Sequence, residues 1–420
     1  MDFAPPRGTS DLFPPESDAV LSLQEEAHRL ARLYGYRYVD TPAFEHTELF
    51  ARTSGASSEI VTKEMYTFED KGGRSLTLRP EGTAPVVRAY LERRQDLPTP
   101  FKAYYVLQTW RRGRPQAGRL REFRQFGIEV IGTASPAADV EVMSLADTYA
   151  RDRGLNRFTL YVNSIGDEAC RPAYRELLVA FLNEHGEELC KDSRERIDSN
   201  PLRIFDCKEE ECRAVMRDAP VISDHLCDAC REHFAGVQSG LDEEGIAYEH
   251  EPRLVRGLDY YTRTAFEFVS GILGTREGTF CGGGRYDRLA EMLGGPPTPG
   301  IGFGLGLERT LLAMQGEGVT PAGERAPAVF VVTIGDRNVW KAGDELVRAL
   351  RLEGIGAVAA YEERPLKAQL RMADHSGAVY AAIIGEREFE AGTVTVRRLA
   401  DGEQESVAVS EVRAWISERV

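Results

Sequence analysis

Between Phe101 and Ile131 the chain reads FKAYYVLQTWRRGRPQAGRLREFRQFGIEVI, and the rest of the sequence is organised around this stretch. Phe101 to Trp110 is dense in aromatic and β-branched residues, the composition of a strand. Gly113, Pro115 and Gly118 then break the strand and turn the chain. From Phe123 to Ile131 a second strand alternates. Phe126, Ile128 and Val130 share one face, which suits a packed core. Gln125 and Glu129 share the other, with Gly127 between them, which suits the floor beneath a polar ligand. Six arginines fall between Arg111 and Arg124 against one acid, Glu122. The whole chain carries a net charge of −15, so the cluster is a local device. Arginine captures phosphate through two parallel hydrogen bonds. A solvated hairpin tip would explain the same charges.

The flanking sequence supplies a frame. At 420 residues there is room for two or three domains. An apolar share of 42% and a charged share of 28% are those of a soluble globular protein. No apolar run reaches about 18 residues, so no membrane span is expected. The N-terminus, MDFAPPRGTSDLFPPE, lacks the shape of a signal peptide, so the cytoplasm is the expected compartment. The acidic balance argues against a nonspecific nucleic-acid coat but leaves room for a local patch.

An amphipathic helix is expected over residues 16–34, and a short strand from Tyr36 to Val39. Tyr66–Phe68 and Leu76–Leu78 flank a turn at Asp70-Lys71-Gly72-Gly73. Arg79-Pro80-Glu81-Gly82-Thr83 follows, then a helix from Ala84 to Arg93, so Glu81 sits where a strand hands over to a helix. A helix over 139–151 and a strand over 158–162 come after the hairpin. Charged helical segments dominate 167–250, a helical insertion in a β-rich core. Asp259 to Val269 reads as a strand, and Gly282 to Asp287 as a loop opening onto a helix through Met292. From Gly300 to Gly306 glycine occupies every second position; as a strand its bare face admits a flat ligand or another backbone. Residues 315–326 form a Gly/Pro linker. Beyond it, strands and helices alternate, which implies a mostly parallel sheet in a separate α/β domain.

Several chemistries are excluded by motif. There is no Gly-Lys pair for a Walker-type loop, no H-E-x-x-H, and no G-x-S-x-G elbow. The glycine run does not fit G-x-G-x-x-G. Seven cysteines, an odd number, fit reduced thiols. Cys227-Asp228-Ala229-Cys230 is one tight pair, with Cys190, Cys207 and Cys212 at irregular distances. Four such residues are enough for structural zinc, but the spacing favours free thiols. What remains is a scatter of arginines and polar groups on strand ends and polar strand faces: Glu81, Arg111, Arg119, Gln125, Glu129, Arg256 and Arg309. Together they suit a polyanionic substrate beside a polar one.

These residues carry a resemblance. Pro6-Arg7-Gly8-Thr9 and Asp11, the Gly35–Pro42 segment, Arg111 in the hairpin and Gly304–Arg309 resemble the N-terminus and motifs 1, 2 and 3 of class II aminoacyl-tRNA synthetases. Leu254-Val255-Arg256-Gly257-Leu258-Asp259-Tyr260-Tyr261 and Gly283-Gly284-Arg285-Tyr286-Asp287 narrow it to the histidyl-tRNA synthetases. The resemblance covers nearly the whole chain. It implies an α/β protein with an α+β catalytic core: an antiparallel sheet with flanking helices (1–166 and 251–314), a helical insertion (167–250), a linker (315–326) and a C-terminal α/β anticodon-binding domain (327–420). It also implies a cytoplasmic homodimer joined through motif 1.

The implied reaction activates L-histidine with ATP and moves the histidyl group to the 3′ end of tRNA(His). Arg111 and Arg256 match catalytic arginines that neutralise the carboxylate and the α-phosphate. Arg119 and Arg309, with Arg111, match the ATP side, and Mg²⁺ is expected on the pyrophosphate. Glu81, Gly82, Thr83 and Gln125 match the histidine ammonium end; Glu129 and Tyr261 match its imidazole, and Tyr260 and Tyr286 its walls. A buried polar site of this kind rejects apolar side chains on the order of 10⁴-fold. Arg114 and Gln116 match the tRNA-binding loop. The segment from Ala328 to Val420 carries twelve Lys or Arg against fifteen Asp or Glu, so its tRNA face must be a patch. Two rivals share the fold: the catalytically inactive regulatory subunit of ATP phosphoribosyltransferase, which lacks the C-terminal domain, and a tRNA-binding accessory module. The intact arginine motif and the C-terminal domain favour the enzyme.

Overall fold

The hairpin forms as its alternation requires. Phe101–Trp110 and Glu122–Ile131 pair antiparallel, with Tyr105 opposite Gly127 and Ala103 opposite Glu129. The glycine strand Gly300–Gly306 pairs antiparallel with Glu122–Ile131, placing Gly302 opposite Glu129 and Gly306 opposite Gln125. Thr279–Arg285, Thr262–Ser270 and Phe158–Ser164 continue the sheet. Two-residue strands close its edges in parallel: Arg37–Tyr38 at the hairpin end and Glu249–His250 at the other, which makes eight strands. A three-stranded sheet of Phe44–His46, Ser75–Leu78 and Tyr66–Glu69 lies apart from it. This computed structural model describes residues 3–54, 60–113, 118–274, 278–321 and 326–419, and the chain divides into two compact units, 1–322 and 323–420.

The apolar face of the large sheet makes the main core. Phe126, Ile128 and Val130 join Ile301, Phe303 and Leu305 there, under Leu23, Ala27 and Leu30 of the helix Glu16–Leu33 and Met143 and Leu145 of the helix Pro136–Asp152. Each such large side chain contributes about 1.5–3 kcal/mol on burial. Ser135 caps the second of these helices, accepting from the Ala137 N–H at 3.3 Å, with Pro136 at its first position.

One expected loop is a strand. Gly282 to Gly284 lie within Thr279–Arg285, not in a turn. Glycine normally weakens a strand because it loses the most backbone freedom. Here it is required by crowding: a Cβ on Gly282 would overlap the Arg256 guanidinium, and one on Gly283 the Gly302 carbonyl and the Phe266 ring. The neighbouring expected strand is shorter at its start, beginning at Thr262 and leaving Asp259, Tyr260 and Tyr261 before it.

Between 167 and 250 the helices Arg171–Glu184, Lys191–Arg196, Glu210–Met216 and Asp228–Glu243 bury a cluster of their own, with Tyr174, Leu178, Leu182 and Met216 inside it. Phe234, Val237 and Leu241 of the last helix join the main core instead. The cysteines regroup against the sequence expectation: Cys227 and Cys230 lie with Cys170 and Asp167, while Cys190, Cys207 and Cys212 form a second set. All seven are free thiols.

The C-terminal unit holds a five-stranded sheet that is only partly parallel. Val329–Ile334 lies between Ala357–Ala359 and Tyr380–Gly385 with all three parallel, whereas Thr393–Arg398 and Gln404–Ala408 run antiparallel. The last strand was not expected from the sequence. Its connection, Leu399 to Glu403, is too short for a parallel crossover, so a hairpin is the available geometry. Helix Arg337–Leu352 covers this sheet with Val339, Leu346 and Leu350. It is capped by Asp336, which accepts from the Asn338 and Val339 N–H groups at 2.8 and 3.2 Å.

Candidate active site

The polar face of the sheet carries the site. Register puts Tyr105, Gln125, Gly127, Glu129 and the glycines 302, 304 and 306 on one surface, since residues directly opposite across paired strands share a face. The glycine run makes room less for a ligand than for its neighbours' side chains. A Cβ at Gly302 would overlap the Glu129 carboxylate, one at Gly304 the Gln125 amide, and one at Gly300 the Tyr286 ring. Gly304 and Gly306 also line an open cavity of about 360 Å³.

Most of the residues singled out from sequence converge on this cavity. Glu81, Thr83, Arg111, Arg119, Gln125, Arg256, Tyr260, Tyr261 and Arg309 all line it. Gly82, Glu129 and Tyr286 lie just behind the wall. Gly82 packs against the Tyr105 ring, where a side chain would clash. Arg114 and Gln116 fall outside the described residues. A second cavity, of about 430 Å³, lies between the insertion helices and the sheet, with Arg256, Leu258 and Tyr261 common to both linings.

The arginines are held by the protein's own groups. Arg111 Nε donates to the Pro80 carbonyl at 2.9 Å, and its guanidinium stacks 5.2 Å from the Phe123 ring centre. Arg256 is ion-paired with Glu267, whose other oxygen accepts from Thr279 Oγ1 at 3.1 Å. Arg309 donates to the carbonyls of Gly118 and Thr279 at 2.8 and 2.7 Å, tying the hairpin loop to the sheet. Arg119 stands 4.0 Å from Glu64. Three buried polar atoms of lining residues, Gln125 Oε1, Arg256 Nε and Tyr260 Oη, have no hydrogen-bond partner among the described residues. A buried polar atom left so costs about 1–3 kcal/mol, which a bound polar ligand relieves.

The carboxylates differ by environment. Glu81 accepts from the Thr83 and Ala84 N–H groups at 2.6 and 3.1 Å, so it also caps the helix Thr83–Arg93. Burial pushes its carboxyl above the usual range, against those backbone donors and Arg111. Glu129 is fully buried and accepts from the Tyr105 and Tyr286 hydroxyls at 3.1 and 2.5 Å. Burial lifts it to about 8, with the tyrosine hydroxyls pulling the other way.

The structure adds residues that sequence reading passed over. Tyr105 spans Gly82 and Gly127, and a bulky residue paired with a glycine across a hairpin was the available signal. Glu267 is the one acid in the strand Thr262–Ser270. Glu308 accepts from the Arg124 backbone at 2.9 Å and its side chain at 3.2 Å, which gives Arg124 a structural task. Arg121 donates to the carbonyls of Arg7 and Gly8, at 3.0 and 2.8 Å, and so binds the N-terminal segment to the hairpin. Glu64 had no sequence signal.

Comparison with known proteins decides the family. The family model for histidyl-tRNA synthetase matches residues 8–310, and that for the anticodon binding domain matches 328–419. The chain belongs to the histidyl-tRNA synthetase family. That family is one of ATP-dependent aminoacyl-tRNA ligases. The histidine–tRNA ligase of Moorella thermoacetica is 50% identical, over 97% of this chain and 96% of that one. Its counterpart from Pelotomaculum thermopropionicum is 48% identical, over 99% and 97%. The apo histidyl-tRNA synthetase of S. aureus superposes with a TM-score of 0.83 at 38% identity, covering 99% of both chains. In this synthetase family member, no described helix is long and apolar enough to cross a membrane.

Proposed function

We propose that the cavity on the polar sheet face joins L-histidine to ATP and then passes the histidyl group to tRNA(His). The observation that carries the reading is the convergence of Arg111, Arg119, Arg256 and Arg309 on one cavity floored by Gln125 and glycine. In the first step the histidine carboxylate attacks the α-phosphorus and pyrophosphate leaves. Both reactants are anions, so the step needs fixed positive charge between them. Arg111 and Arg256 supply it, each held by its own partner, Pro80 or Glu267, so little reorganisation is left to the reaction. Arg309 and Arg119 face the triphosphate tail near the hairpin loop.

Among the described residues no group of three metal-ligating side chains converges in this cavity. Mg²⁺ is therefore proposed to arrive with the nucleotide, keeping phosphate and water ligands, as this ion prefers. Glu81, Thr83 and Gln125 take the ammonium end. Glu129 has lone pairs to spare beyond its two tyrosine bonds, and with Tyr261 it takes the imidazole. In the second step a hydroxyl at the tRNA 3′ end attacks the histidyl carbonyl and AMP leaves. The hairpin loop with Arg114 and Gln116 meets the acceptor stem.

In this reading 1–166 with 251–314 is the catalytic core, 167–250 grips the acceptor arm, 315–326 is a linker and 327–420 reads the anticodon. The enzyme works in the cytoplasm as a homodimer. The edge strand Arg37–Tyr38 supports that assembly, since Leu33, Tyr38 and Phe44 around it are 70%, 49% and 49% exposed. The test is exchange of labelled pyrophosphate into ATP with each of the twenty amino acids. Exchange with histidine alone is expected. Exchange with another amino acid would refute the substrate, and none at all would favour the regulatory-subunit reading.

A further inference from the structure

The cysteines of the insertion serve no step above, and the structure gives one set of them a shape. The donor atoms of Asp167, Cys170, Cys227 and Cys230 all lie within 4.8 Å of one another. Asp167 Oδ1 is 3.4 Å from Cys170 Sγ and 3.8 Å from Cys227 Sγ. A tetrahedral zinc ion, with Zn–S about 2.3 Å and Zn–O about 2.0 Å, sets neighbouring donors about 3.5–3.8 Å apart. Disulfide sulfurs would stand at about 2.05 Å, and a disulfide would use two of three thiols and leave the carboxylate idle.

Chain geometry supports the same end. The set is two half-sites with one spacing, Asp167-x-x-Cys170 and Cys227-x-x-Cys230. The first leads into the helix Arg171–Glu184, and the second opens the helix Asp228–Glu243. The Asp167 carbonyl accepts from the Cys170 and Arg171 N–H groups at 3.2 and 2.9 Å, a turn that brings the first pair together, and Cys227 and Cys230 flank the first turn of the second helix, so each half-site offers a pair. The Cys227 N–H donates to Cys170 Sγ at 3.2 Å, the kind of outer contact that orients a metal-bound sulfur. Asp167 is oriented too: Oδ1 accepts from the Ala169 N–H at 3.0 Å, and Oδ2 lies 3.5 Å from Arg263 Nη2. That cation offsets part of the negative charge three thiolates and a carboxylate would gather.

We propose that Asp167, Cys170, Cys227 and Cys230 hold one tetrahedral zinc ion that staples the first and last long helices of the insertion together. Binding exchanges the thiol protons for the ion and leaves every sulfur's oxidation state unchanged. The staple sits at the root of the insertion. Arg171, next to Cys170, donates to the carbonyls of Ile165 and Tyr261 at 3.0 and 2.5 Å, so the same turn also positions the cavity wall. The second set is less complete. Cys190 and Cys207 sulfurs are 3.8 Å apart, but beyond Cys212 the nearest further group is the neutral Ser193 hydroxyl, 3.3 Å from Cys190.

The test is metal analysis of the full chain, expressed with zinc and purified without chelator. The proposal expects at least one zinc per chain, and one equivalent less in the Cys227→Ser, Cys230→Ser double variant. No zinc in the parent chain, or equal zinc in both, would overturn it. A second measurement holds even where that variant fails to fold. Cobalt(II) is exchanged into Cys190→Ser, which cuts the second set to two sulfurs. Intense visible bands with a near-ultraviolet sulfur-to-cobalt transition are expected; a weak octahedral spectrum would refute the site.

Discussion

Two arginines, one buried and one partly exposed, 29 positions apart in sequence, stand on opposite faces of the same problem. Arg285 is fully buried, and all five of its N–H groups have acceptors: Asp139, Asp287 and the carbonyls of Thr133 and Ser135. Arg256 is paired with one acid, Glu267, keeps Nε without a partner and faces an open cavity. Both belong to segments that mark the family. The first is a building element that pins the strand Thr279–Arg285 to the start of the helix Pro136–Asp152. The second keeps donor capacity that, in the proposed reading, goes to an anionic substrate. Unfinished hydrogen bonding and partial exposure separate Arg256 from Arg285, not charge.

Variants can break that distinction. Arg285→Ala should have the largest effect on folding, about 3–5 kcal/mol, because it strands the Asp139 carboxylate in the core. Urea unfolding measures it. A variant of normal stability that fails to form adenylate would reverse the assignment. Glu129 lies between the two cases, buried but close to the cavity. Its carboxyl sits near 8 in the fold against an ordinary 4.5, so folding takes up a proton between those values. Stability should therefore be full below about 4.5 and decline as pH rises towards 8, by on the order of a few kcal/mol. In Glu129→Gln thermal melts at pH 5 and pH 8 should differ less than in the parent; an unaltered difference would place the titration elsewhere. Gly302→Ala should cost about 1–3 kcal/mol and displace the Glu129 carboxylate, weakening histidine binding. Binding at parental strength would show that the glycine strand does not position the site.

The sheet was legible in the sequence and the insertion was not, for a physical reason. A strand repeats every two residues, so one line of text already separates the Phe126, Ile128, Val130 face from the Gln125, Glu129 face. Arg111, Gln125 and Arg309 could therefore be placed on one surface by resemblance and alternation together. Tertiary crowding was invisible: the glycines at 282 and 283 look like a loop until Arg256 and Phe266 are seen against them. In the insertion, Cys170 and Cys227 meet across 57 residues through helix packing, and no local period announces such a contact. Glu81 shows a third limit, since its sequence position fits both a ligand contact and the helix cap it makes with Thr83 and Ala84.

The proposed role of Arg256 lies in the chemistry and not in the scaffold. The most direct measurement is single-turnover formation of histidyl-adenylate by Arg256→Ala, with its thermal midpoint recorded alongside. A rate lower by roughly 10²–10³-fold, at a midpoint close to the parent's, is the predicted result. A parental rate, or a loss of activity accompanied by an equal loss of folded protein, would contradict it.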